Sequence, residues 1–211
     1  MEHEHSRLLE QGVAAVGLRL DPGQLTALGR HVDLLLKWNK SINLTAITDP
    51  AEVVEKHVID SLAVAPLLPA GSLLDAGSGG GFPGLCVAIA RADIEVVMVD
   101  SVQKKVAFLK SVLAELRIPR LRALAVRLQG NPGAEGLVRV NAAVARAFSS
   151  PEEWLTLAQH YLLPGGVALC MLGPADSTPE RVGEMDHHRE LAYRLPFSNA
   201  QRRIAIYRRR G

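Results

Sequence analysis

The residue types and spacings with the most potential for chemistry lie in Leu73-Leu74-Asp75-Ala76-Gly77-Ser78-Gly79-Gly80-Gly81-Phe82-Pro83-Gly84, where five glycines fall within eight residues. The stretch follows an apolar run and opens a segment of helical character, with Pro83 suited to a first helical turn. Glycines at such a junction let the backbone turn sharply and approach a ligand, and the free N–H groups of a starting helix supply donors. A strand-to-helix turn without a ligand does not need five glycines. Further candidates follow at the ends of later apolar runs: Asp100 and Arg146, with Phe148 two residues beyond. Asn43, His57 and Asp60 precede the loop. His187 and His188 are adjacent on an expected helix and cannot share a metal as an i, i+4 pair would, so no metal is expected.

Two ligands suit this loop. Gly79-x-Gly81-x-x-Gly84 satisfies the dinucleotide fingerprint, and Asp100 lies at the right distance onward to bind ribose hydroxyls, so a nicotinamide dinucleotide stays open. Asp75 ahead of Gly77-x-Gly79-x-Gly81 is instead the acidic-then-glycine arrangement of S-adenosylmethionine (SAM) methyltransferases. That ligand has no pyrophosphate but carries a sulfonium and an ammonium, which a carboxylate suits better than it suits a phosphate. The chain also has no room after its strands for the separate catalytic domain that dehydrogenases usually add.

The elements that must position these residues fall into two regions. Residues 1–70 read as a helical cap. Leu8, Leu9, Val13, Val16 and Leu20 recur at helical spacing; Asp21-Pro22 opens a second helix to about Trp38; Asp49-Pro50 opens a third. Asn39 to Thr48 reads as a polar connector that could fold over a cofactor mouth. Residues 71–211 change to short apolar runs alternating with amphipathic stretches. Strands are expected at 72–76, 94–99, 121–127, 140–145 and 167–172, and helices at 83–90, 102–116 and 151–162. Strands separated by helices imply βαβ units, hence a Rossmann-like, doubly wound, mostly parallel sheet. Leu191 to Leu195 and Ile204 to Tyr207 would add a terminal antiparallel hairpin. The expectation is one compact unit.

Composition narrows the partners. The 211 residues carry 24 Lys+Arg against 22 Asp+Glu, and 48% are hydrophobic, too apolar and too weakly charged for a disordered chain. The two cysteines, Cys86 and Cys170, exclude a disulfide framework and suit a reducing compartment. No basic segment followed by an apolar stretch opens the chain, so a soluble, monomeric cytoplasmic protein away from membranes is the expectation. The net charge of +2 is a sum of opposed blocks: residues 117–146 carry +5 and residues 194–211 carry +6, while the other two blocks are acidic. Every basic residue after Lys110 is an arginine, whose planar fork matches phosphate oxygens. If both basic blocks lie on one face, that face suits RNA.

Trp38-Asn39-Lys40-Ser41-Ile42-Asn43-Leu44-Thr45, Lys56-His57-Val58-Ile59-Asp60-Ser61-Leu62, the 75–84 loop, Asp100-Ser101 with Lys104-Lys105-Val106-Ala107-Phe108-Leu109, and Ala145-Arg146-Ala147-Phe148 together resemble the RsmG (GidB) family, in order from about residue 10 to residue 208. The resemblance implies a class I SAM-dependent methyltransferase acting on N7 of a guanine in the 530 loop of 16S ribosomal RNA, as free rRNA or within a 30S ribosomal particle. It implies cofactor contacts at Gly77, Phe82, Leu128, Gln129 and Arg146, to which the residue reading adds Asp75, Gly79 and Asp100. Asn43, His57, Asp60, Arg146 and Phe148 become substrate-positioning candidates, Phe148 by stacking on an unstacked base. Two departures stand out. Leu172 replaces a lysine common at the end of the fifth strand, and Gln129 replaces an acidic residue, although an amide can still bind an adenine amino group. Guanine N7 carries a lone pair and no proton, so no general base is expected.

Overall fold

The computed structural model describes residues 3–146 and 150–211. Helix α1 (His3–Ala15) is followed by α2 (Pro22–Ile42), whose start is fixed by a reciprocal cap: Asp21 Oδ1 accepts from the Gln24 N–H at 2.9 Å, and Gln24 Oε1 accepts from the Asp21 N–H at 2.8 Å. Gln24 Nε2 also donates to the Ile89 carbonyl at 2.8 Å, tying the helix to the sheet layer. The helix runs four residues past Trp38 and ends at Asn43, which adopts the left-handed conformation at φ 52°. The polar connector is therefore shorter than expected. Asp49 caps α3 (Pro50–Val53), which continues through a π-helical segment (Val54–Ile59) into α4 (Asp60–Leu62).

The sheet has eight strands: β1 (Gly71–Ala76), β2 (Ile94–Asp100), β3 (Leu121–Ala125), β4 (Val140–Arg146), β5 (Leu162–Leu172), β6 (Arg181–Val182), β7 (Met185–Arg194) and β8 (Gln201–Arg209). Their order is β3-β2-β1-β4-β5-β8-β7-β6, with the first five parallel and the rest antiparallel. Successive parallel strands run outward from β1 to β3 and then resume on the other side at β4. The switch point between β1 and β4 is where open α/β sheets bind ligands, beyond the carboxyl ends of the strands. Helices α5 (Gly84–Ala90) and α6 (Gln103–Leu116) cover one face, and α7 (Pro151–Ala158) the other. The connection 126–139 carries no helix, and its Leu137 joins Val97 and Val99 of β2 in the core of the second face.

The two faces have separate cores. Leu28, Val32, Leu35, Val58, Ile59 and Leu62 of the N-terminal helices pack with Leu85, Phe108 and Leu109, and with the strand residues Leu73, Met98, Leu169 and Ile204. Trp154, Leu155 and Tyr161 pack beneath the opposite face with Ala143, Ala168 and Tyr207. Three expectations are corrected. Helix α7 ends at Ala158, and Leu162 begins β5 instead of ending a helix. His187 and His188 lie on β7, at a register shift, and not on a helix. The basic blocks meet only in part: Arg146 and Arg202 each lie 3.6 Å from Asp60, whereas Arg117, Arg120 and Arg122 lie beside the β3 edge, several strands from the arginines of β8. The terminal cluster is itself split, because Arg203 pairs with Leu172 at the carboxyl edge of β5 while Arg208 pairs with Val167 toward its other end.

Candidate active site

The glycine loop is built on three positive-φ glycines, Gly77 (70°), Gly79 (53°) and Gly81 (93°), a conformation that L side chains rarely adopt. Asp75 holds its far end: Oδ2 accepts from the Gly84 N–H at 2.9 Å, and a Cβ at Gly84 would meet that oxygen at 2.5 Å. Asp75 is fully buried, its Oδ1 has no partner, and burial pushes its carboxyl up to about 6. Asp100 holds the near end, accepting from the Gly79 N–H at 3.1 Å and from the Val102 N–H at 2.8 Å, with Lys105 Nζ 3.9 Å away.

A cavity of about 940 Å³ opens beside this loop, between the ends of β2 and β3 and the exposed side of α7. Gly77, Asp100, Leu128 and Gln129 line it, as the sequence reading expects of cofactor contacts. Val99, Val126, Leu128 and Leu157 give it apolar walls, while Asp100, Glu152 and Glu153 give it carboxylates. The cavity lies where a loop, and no helix, follows β3. Backbone approach at Gly77, a carboxylate beside a ribose-sized space and apolar walls for a purine fit SAM, and the acidic residues of α7 suit its cationic groups. Glu152, Glu153 and Thr156 of α7, and His160 just beyond it, are missed by sequence reasoning, because the helix offers no motif and only the fold turns it toward the sheet edge. The Gln129 N–H donates to Tyr161 Oη at 3.0 Å and to Glu135 Oε1 at 2.9 Å, so backbone bonds seat this segment.

Phe82, Gly79, Asp75 and Arg146 do not line that cavity. Phe82 is buried behind the loop, its ring 4.7 Å from His31 and 4.9 Å from His57, with the Arg146 guanidinium 5.3 Å from its centroid. His31 Nε2 donates to the Gly80 carbonyl at 2.7 Å. His57 Nε2 meets Thr45 Oγ1 at 2.7 Å, which ties the π-helical segment to the connector. Burial pushes both imidazoles down, His31 to about 4 and His57 to about 3, the latter helped by the Arg146 charge. Both are therefore neutral at pH 7 and unsuited to serve as cations.

Asp60 is a buried carboxylate with three partners: Tyr193 Oη donates to it at 2.7 Å, and the Arg146 and Arg202 guanidinium nitrogens each lie 3.6 Å away. Arg146 also donates to the Lys56 carbonyl at 3.1 Å. The helical cap, the end of β4 and the β7–β8 hairpin meet at this carboxylate. Asn43 is not brought into the group. Its side chain is exposed at the helix terminus, and Asn39 organises the connector instead, accepting from the Leu44 and Thr45 N–H groups and donating to the Thr45 carbonyl. Phe148 lies outside the described residues. Leu172 is buried in the second core, and the cation beside it is Arg203 of the paired strand β8, whose Nε donates to the Gly173 carbonyl at 3.4 Å. Cys86 and Cys170 are buried thiols pushed up to about 12 by desolvation, small apolar fillers and not nucleophiles. Among the described residues, no cluster of His, Cys, Asp and Glu could hold a metal.

The family model for rRNA small subunit methyltransferase G (GidB) matches residues 24–203, spanning both the helical cap and the sheet. The chain belongs to this family. It is 46% identical to ribosomal RNA small subunit methyltransferase G of Anaeromyxobacter sp. (strain Fw109-5), over 100% of both chains. It is 43% identical to that of Myxococcus xanthus over 94% of each chain, and 34% identical to that of Acinetobacter baumannii over 98% of this chain and 99% of the relative. Among solved structures, protein Atu636 of Agrobacterium tumefaciens, a predicted O-methyltransferase, superposes with a TM-score of 0.56 at 18% identity, covering 71% of this chain and 80% of that one. That likeness concerns the fold, which is the class I methyltransferase fold. Family membership also decides between the two ligands of the glycine loop in favour of SAM.

Proposed function

We propose that this protein transfers the methyl group of SAM to N7 of a guanine in the 530 loop of 16S ribosomal RNA. The observation that carries this reading is the Gly77–Asp100 cavity at the carboxyl ends of β2 and β3, with the Asp60–Arg146–Arg202 cluster at the carboxyl end of β4 on the same edge of the sheet, in a chain that belongs to the small-subunit rRNA methyltransferase family. SAM supplies an activated methyl group for in-line displacement, a reaction that needs alignment above all. In this reading Gly77 admits the cofactor to the backbone, Asp100 faces its ribose, and Leu128 and Gln129 border its base. Arg146, held by Asp60 and Lys56, presents its guanidinium toward the guanine or a neighbouring phosphate. His57 and Asp60 are positioning residues, acting through Phe82 and Arg146.

The described site fits a reaction without a general base. Its two central histidines are buried against Phe82, and N7 attacks with a lone pair that carries no proton. Because N7 faces a deep, narrow groove in A-form RNA, the target guanine must be unpaired or unstacked. We further propose that the protein acts as a monomer in the cytoplasm; no helix of the described residues is long and apolar enough to cross a membrane. The deciding experiment incubates the protein with methyl-labelled SAM and either naked 16S rRNA or 30S particles, then maps the modified base. Label at N7 of a guanine in the 530 loop is expected; label on another base, on protein or on a small molecule overturns the reading.

A further inference from the structure

The C-terminal hairpin has far more positive charge than its own carboxylates can neutralise. Residues 181–210 contain eight arginines, no lysine and three carboxylates. Each carboxylate is occupied: Glu184 by Arg209 at 2.7 Å, Asp186 by Arg181 at 2.6 Å and Arg210 at 3.7 Å, and Glu190 by Arg203 at 3.2 Å. Arg202 is drawn to Asp60, and Arg194 donates to the Asn199 carbonyl at 3.1 Å. That leaves Arg189 and Arg208, both exposed, whose guanidinium groups have no hydrogen-bond or ion-pair partner among the described residues.

These two arginines share one cavity of about 440 Å³, toward the end of the sheet opposite the cofactor cavity. His188 lies beside them, and Leu68, Val167 and Ile206 give the cavity an apolar floor. The nearest carboxylate by register is Asp186, opposite Arg208, and it is already shared between Arg181 and Arg210. Two forked donors over an apolar floor, with no internal anion, make a receptor for phosphate oxygens flanked by sugar or base. The site is also connected to the reaction edge. Alternation along β7 places Arg189, Leu191 and Tyr193 on one face; Leu191 is 40% exposed, and Tyr193 binds Asp60. From Arg202 to Arg208 is six residues of strand, about 20 Å.

We propose that this face of the β7–β8 hairpin is a second contact surface for the RNA substrate, with Arg189 and Arg208 holding backbone phosphates about 20 Å from the methyl-transfer edge. The proposal rests on the rRNA reading above and adds to it where the RNA runs once its target guanine is placed. Phosphate contacts of this kind fix register and orientation without reading sequence.

The test compares the full-length protein with Arg189→Ala/Arg208→Ala and Arg189→Lys/Arg208→Lys. Affinity for a 16S rRNA fragment containing the 530 loop is measured across a salt series, alongside SAM affinity and methyl-transfer kinetics. The alanine pair should lower the slope of log affinity against log salt by about 1.4 to 1.8, that is about 0.7 to 0.9 per phosphate. Its RNA KM should rise roughly tenfold, with SAM affinity and kcat at saturating RNA unchanged. The lysine pair should recover most of the slope, because charge is retained. A wild-type protein that methylates the RNA, together with an alanine pair of unchanged slope and KM, overturns the proposal alone. A wild-type protein that neither binds nor methylates the RNA removes the functional reading beneath it.

Discussion

His31 shows how much of the cofactor loop is held from outside it. The Gly80 carbonyl can only accept, so Nε2 of His31 carries the proton; Nδ1 is buried without a partner. His31→Leu removes that donor but leaves an apolar side chain against Phe82, whereas His31→Gln keeps a donor at a similar reach. The leucine variant should raise the KM for SAM about tenfold with little change in kcat, consistent with the ~1–2 kcal/mol of one buried hydrogen bond. The glutamine variant should recover most of the loss, and steady-state kinetics with SAM varied at saturating RNA would show it. Equal losses in both variants would mean that ring packing matters and the donor does not. Asp75 supports a second prediction. It reads in sequence as a partner for the cofactor's cation, yet it is buried inside the loop and binds Gly84. Asp75→Asn keeps an acceptor for that N–H and removes a charge that burial disfavours. Titration calorimetry should therefore find SAM affinity within a few-fold of wild type, and a complete loss of binding would restore the direct-contact role. The glycines and Asp100 were legible because a motif or a strand end announces them, and the Leu128-Gln129 pair only through the family resemblance. His31 was not: a lone histidine within an amphipathic helix carries no signal until the fold brings Gly80 to it.

At the scale of elements, the π-helical segment does the joining. From six residues it sends His57 to Phe82 and Thr45, and Glu55 to the hairpin turn, where it accepts from the Phe197 and Ser198 N–H groups at 2.7 Å each. π-helical turns concentrate at functional sites. Its packing against α2 and the loop depends on two neutral imidazoles. Unfolding exposes both to water, where they protonate near their ordinary value of 6.5. Because the folded values are depressed, the unfolded chain binds more protons below pH 6.5, and stability falls as pH drops from there toward 4. Asp75 works the other way, since its raised carboxyl adds stability as pH falls from about 6 toward 4, but it is one group against two. The melting temperature should fall on going from pH 7 to pH 5, and the His31→Gln/His57→Gln pair should flatten that fall. A pH-independent melting temperature in the wild type would contradict the assignment. The parallel strands were legible as apolar runs because they are buried on both faces. Strand β7, Met-Asp-His-His-Arg-Glu-Leu-Ala-Tyr-Arg, was legible only at its end: most of it is exposed, so neither a run nor an alternation marks it, and pairing with β8 decides its conformation.

For the whole molecule, the boundary near residue 70 read from the change of pattern does not correspond to a gap between cores. Leu28, Val32, Leu35, Val53, Val54, Val58, Ile59 and Leu62 are fully buried in the same cluster as Phe108, Leu109 and Ile204. At roughly 1.5–3 kcal/mol for each buried side chain, those eight represent roughly 12–24 kcal/mol, more than the roughly 5–15 kcal/mol by which a domain is usually stable. The cap also supplies His31, His57 and Asp60, so the loop and Arg146 lose their supports together with the core. We therefore propose that the helical cap and the sheet fold as one cooperative unit. The full chain should melt in a single transition whose far-UV and near-UV circular dichroism curves coincide. A fragment of residues 71–211 should lack near-UV dichroism and fail to bind SAM, even though it retains every glycine of the loop and Asp100. A fragment that folded and bound SAM would make the cap an appendage concerned with RNA alone, and would move His31 and His57 out of the cofactor's support.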